Sequence, residues 1–106
     1  MLKLTGKAGK SLIVEAIQER YEDLRVYSYN NYIVPTMECF HVDCNDCSVE
    51  EFSKFIYEDI LKCKNDDLPI GIVVIYINLQ NIEIIEKLAD KLESEYLAKM
   101  VIITGK

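Results

Sequence analysis

The stretch Leu4–Ser11, LTGKAGKS, brings together the residue types that hold phosphate. Gly9 lets the backbone curl close to an anion, and Lys10 carries an ammonium on a stem long enough to reach terminal phosphates. The Ser11 hydroxyl is an oxygen ligand for a hard cation such as Mg²⁺. Such a loop works when a strand delivers the chain to it and a helix leaves it, because the helix N-terminus points its free N–H groups and positive dipole at the anion. Both flanks are legible. MLKLT reads as a short strand, and Ile13, Ala16, Ile17, Tyr21 and Leu24 recur at helical spacing, which predicts a helix over Ser11–Asp23. The first ten residues also hold Lys3, Lys7 and Lys10 and no acid, although the chain as a whole carries a net charge of −6.

A second constellation is the C-x-x-C at Cys44 and Cys47. It lies between a strand-like segment, MECFHVD, and a helix start at Ser48. A helix N-terminus lowers a thiol pKa, so thiol-disulfide exchange is chemically reasonable there, while the neighbouring Asp43 and Asp46 work against a thiolate. Cys39, His41, Cys44, Cys47 and Cys63 contain zinc-type donors, but a closed structural site usually shows two Cys pairs and one is present. Cys63 falls on the apolar face of a helix, where it reads as core, and His41 inside a strand reads as structural.

The elements that must position these groups alternate. After the strand at 1–5 and the helix at 11–23, RVYSYNNYI over Arg25–Ile33 is rich in Tyr and Val and reads as a strand, and Pro35 breaks it. Met37–Asp43 is a further strand. Ser48 with Glu51 forms an S-x-x-E capping box, and the helix it starts runs to about Cys63 with Val49, Phe52, Ile56, Ile60 and Cys63 on one face. IGIVVIYINL is apolar on both faces, the pattern of a central strand in a parallel sheet covered by helices. Ile85, Leu88, Ala89, Leu92 and Tyr96 predict a helix over about Ile82–Tyr96, and KMVIITGK is a last buried strand. The order β-α-β-β-α-β-α-β implies parallel pairing and one α/β domain over residues 1–106: a three-layer sandwich with a mostly parallel five-stranded sheet. Tyr27, Tyr29 and Tyr32 are expected on an edge strand packed against the second helix, or on an interaction surface.

The triplet Gly9–Lys10–Ser11, set between strand and helix, resembles the P-loop NTPase superfamily, whose signature is G-x-x-x-x-G-K-[ST]. Either Leu4 replaces the first glycine of that signature, or the loop is shorter and Gly6 is its turning glycine. The resemblance implies ATP or GTP bound with Mg²⁺ by Gly6, Lys7, Ala8, Gly9, Lys10 and Ser11. Ser11 would ligate the metal, with Asp43, at the end of ECFHVD, in the metal's outer shell. Asn78, ending IGIVVIYIN, matches the polar residue that the ATPase branch places near the γ-phosphate. Members of the superfamily add an arginine finger and a base that positions water. The only arginines here are Arg20 and Arg25, set away from the loop, so hydrolysis would depend on a partner or a second copy. Asp46 is the nearest candidate base, and no catalytic acid or base is assigned.

The bulk numbers bound the alternatives. At 106 residues, 50% of them hydrophobic, the chain supports one core. Its acidity opposes general nucleic-acid binding. No apolar run is long enough to span a bilayer and no secretory signal is legible, so a cytoplasmic protein with reduced cysteines is expected. A non-catalytic interaction domain that keeps the fold is the second reading, and a thiol-disulfide protein using Cys44 and Cys47 the third.

Overall fold

A computed structural model describes residues 2–5, 24–29, 40–44, 46–68, 70–77, 82–96 and 99–104. Five strands, β1 (Leu2–Thr5), β2 (Leu24–Tyr29), β3 (Phe40–Cys44), β4 (Ile72–Ile77) and β5 (Lys99–Thr104), form one sheet in the order β1-β5-β4-β2-β3. Every pairing is parallel. Two helices are described, α1 (Val49–Asn65) between β3 and β4, and α2 (Glu83–Tyr96) between β4 and β5.

The run over 70–79 takes the central place its composition predicts. All six residues of β4 are buried, which a strand requires when both faces of its sheet are covered. Tyr27, Val73, Ile75, Ile77, Met100 and Ile102 meet Phe52, Ile56 and Ile60 of α1 and Ile85, Leu88, Ala89 and Leu92 of α2. The other face buries Leu24, Val26, Val74, Tyr76, Val101 and Ile103, with Leu4 against them. Both described helices therefore lie on one face, and the opposite face is apolar and buried as well. The helix expected over Ser11–Asp23 lies outside the described residues.

α1 begins as its sequence dictates. The Ser48 hydroxyl accepts from the Glu51 amide at 3.1 Å and the Glu51 carboxylate accepts from the Ser48 amide at 3.2 Å, closing the capping box. At the other end Asp67 takes φ 56°, a left-handed position that lets the Leu68 amide reach the Cys63 carbonyl at 2.9 Å and satisfies a helix-end acceptor.

Two expectations need correction. Leu24, placed on the face of the first helix, is instead the first residue of β2. β2 is not an edge strand: it pairs with both β3 and β4. The expected packing against the helix that follows β3 does occur, because Tyr27 meets Phe55 edge-on at 6.2 Å and Tyr29 meets Phe52 at 5.2 Å. Tyr27 is fully buried, so it belongs to the core and not to an interaction surface.

Candidate functional site

In an open parallel α/β sheet, ligands bind outside the carboxyl ends of the strands. Here those ends are Thr5, Tyr29, Cys44, Ile77 and Thr104. The strand expected at the start of the chain is present, and it stops at Thr5, one residue before Gly6. Gly6, Lys7, Ala8, Gly9, Lys10 and Ser11 lie outside the described residues, as does Asn78, which follows the last residue of β4.

Register places the remaining candidate. Leu4, Ile103, Tyr76, Ser28 and Asp43 are successive partners across the sheet and form one row. The row is apolar at the β1 end and polar at the β3 end. β1 and β3 are the two edges, four strand spacings apart, or roughly 19 Å. β1 ends at one edge of the sheet, beside β5, and Asp43 lies at the other. The strand order does not bring β1 and Asp43 together.

Asp43 has a local partner instead. The fully buried Ser28 hydroxyl donates to its Oδ1 at 2.6 Å. A hydroxyl with no access to water needs such an acceptor, since leaving it unpaired costs about 1–3 kcal/mol. Sequence reasoning missed Ser28. A serine between two tyrosines in a strand carries no signal until the neighbouring strand and its register are known.

The C-x-x-C pair sits where its sequence places it, with Cys44 ending β3 and Cys47 just before the α1 cap. Asp46 between them is exposed at φ 60°, a left-handed turn conformation that aspartate tolerates. Tyr29 donates its hydroxyl to the Cys47 carbonyl at 2.5 Å and fixes the turn. Burial first, then a hydrogen bond with Cys47 and the charges of Asp43 and Glu51, push the Cys44 thiol up to about 11 from 9.0. Exchange chemistry needs a thiolate near neutral pH, and these surroundings move Cys44 the other way. Among the described residues no group of three or more His, Cys, Asp or Glu side chains could hold a metal ion.

A further cluster was not legible in the sequence. Arg25 on β2 donates to Asp59 of α1 at 2.7 Å and to the Tyr27 hydroxyl at 3.0 Å, and Tyr27 donates to the same Asp59 oxygen. Burial raises the Tyr27 phenol well above its ordinary range. The hydrogen bond and charge of Asp59 add to that, against the pull of Arg25. For Arg25, burial alone would lower the guanidinium, but the hydrogen bonds to Tyr27 and Asp59 leave it raised overall. The three groups complete one another near the amino end of β2. Their arrangement is that of a tie between helix and sheet, and it holds Arg25 away from the carboxyl edge.

Comparison with protein-family models, with curated proteins and with solved structures finds no match to this chain. The fold itself defines the class: an α/β domain with a five-stranded all-parallel sheet. Among the described residues, no helix is long and apolar enough to cross a membrane.

Proposed function

We propose that the chain is a nucleotide-binding module, with the Gly6–Ser11 loop holding the phosphates of ATP or GTP and Mg²⁺. The observation that carries the reading is the end of β1. A parallel strand stops at Thr5, so the chain enters the loop at the carboxyl edge of an all-parallel sheet, where such ligands bind. Lys10 neutralises the terminal phosphates, Ser11 ligates the metal, and the loop amides cradle the phosphate between them. Asn78 leaves the same edge one residue after β4 and is the candidate contact to the γ-phosphate. Asp43 is left to Ser28 in this reading, because its strand is at the far edge.

Hydrolysis in this reading depends on a partner. Arg25 is committed to Asp59 and Tyr27 and Arg20 falls late in the segment after the loop, so this reading takes a transition-state arginine from a partner. The test is a thermal melt with millimolar Mg-ATP and Mg-GTP, for wild type and Lys10→Ala. A ligand at a hundredfold its Kd stabilises by about 2.7 kcal/mol, a shift of several degrees. That shift is expected in wild type and lost in the variant. No shift with either nucleotide would sink the proposal and favour a domain that keeps the fold for protein contacts.

A further inference from the structure

α1 and α2 lie side by side on the same face of the sheet and leave a groove of about 450 Å³ between their first halves. Its floor and walls are Tyr57, Ile84 and Leu88, and its rim is Lys54, Lys87 and Lys91, with Glu50 as the one acid lining it. Three lysines against one glutamate is the reverse of the whole chain, which has 18 acids and 12 Lys and Arg. The apolar part is open to an incoming group, since Ile84 is 38% exposed. Part of the wall is preset: the Lys91 ammonium sits over the Tyr57 ring at 4.4 Å, and the Tyr57 hydroxyl donates to Glu95 at 3.3 Å. Lys54 is held loosely, with Glu58 at 3.9 Å and both side chains well exposed.

We propose that this groove docks an acidic segment of a partner protein that carries an apolar side chain between its carboxylates. The apolar side chain enters between Tyr57, Ile84 and Leu88, and the carboxylates meet the lysine rim. Charge complementarity selects the occupant. A basic groove on an acidic molecule attracts anionic segments and repels cationic ones, and like-charge juxtaposition is costly. A second copy of the chain is a poorer fit, because an isologous pair through the groove would set lysine rim against lysine rim. Burial of the apolar anchor supplies the part of the affinity that salt does not screen. The proposal does not rest on nucleotide binding, which uses a different set of residues.

The test uses the full chain and fluorescence anisotropy with a labelled peptide repeating Glu-Glu-Leu. Wild type is expected to bind it saturably. Lys54→Glu with Lys87→Glu should weaken binding by about tenfold or more, and the same double variant should gain binding to a Lys-Lys-Leu peptide that wild type rejects. That swap is a readout unfolding cannot imitate. Ile84→Ser should weaken the Glu-Glu-Leu peptide while leaving the charge pattern intact. Three results would overturn the proposal. They are no binding at millimolar peptide, equal binding of polyglutamate, and a self-association of wild type that the double lysine variant abolishes.

Discussion

At the β3 edge the polar groups near the strand ends engage one another. Ser28 donates to Asp43, Tyr29 to the Cys47 carbonyl, and Ser48 and Glu51 close their box. At the β1 edge the link is of another kind. Lys3 reaches across to Glu86 of α2 at 2.8 Å, and both side chains are substantially exposed, at 51% and 31%. The first edge uses its polar residues to build the protein. At the second, the lysine- and glycine-bearing residues 6–11 follow the strand in sequence. Residues of the types that do chemistry occur at both edges, so residue type alone does not tell them apart.

Breaking the tie between α1 and the amino end of β2, next to the β3 edge, should cost most. Asp59→Ala leaves the Tyr27 hydroxyl and the Arg25 guanidinium without their shared acceptor, and a loss of about 3 kcal/mol is expected in urea unfolding. Replacing all three groups by apolar residues of similar volume should cost less than this single change, because no buried charge remains. A triple variant less stable than Asp59→Ala would break the idea that the cluster acts as a unit.

The thiol at the carboxyl end of β3 gives the next effect. With its pKa raised to about 11 from 9.0, Cys44 should alkylate roughly tenfold more slowly at neutral pH than an unperturbed cysteine, because the scarcer thiolate is partly offset by its higher nucleophilicity; mass spectrometry reads this site by site. The sign for stability follows. Folding favours the protonated thiol, so its contribution is complete below pH 9 and is lost as pH rises through about 11. A fast-reacting Cys44 at pH 7 would revive the redox reading.

Ser28→Ala removes the donor to a half-buried carboxylate and should cost about 1.5 kcal/mol. Lys3→Ala, at the other edge, should cost less than about 1 kcal/mol, since exposed ion pairs contribute little. If Lys3→Ala proved the more damaging of the two, the contrast between the edges would be wrong.

Much of the fold was legible. The doubly apolar run put β4 at the centre, the S-x-x-E box set the start of α1 at Ser48, and Phe52, Ile56, Ile60 and Cys63 form the buried stripe their spacing predicts. Lateral order was not legible. Periodicity reports which face of an element is buried and nothing about which strand lies beside it. Composition alone therefore cannot tell that β2 is internal, or that Asp43 and the end of β1 lie at opposite edges. The Arg25–Tyr27–Asp59 cluster escaped for the same reason, joining residues 34 apart in sequence. The groove lysines are visible as helix-surface residues, but no sequence pattern says that α1 and α2 lie side by side.

Isothermal titration of Mg-ATP and Mg-GTP into wild type, Lys10→Ala and Asp43→Asn tests the nucleotide site most directly. Saturable binding of at least one nucleotide to wild type is expected, with a loss of about tenfold or more in Lys10→Ala and near-wild-type affinity in Asp43→Asn. Binding that survives Lys10→Ala and fails in Asp43→Asn would put the site at the wrong edge of the sheet, and no binding by wild type would remove the nucleotide altogether.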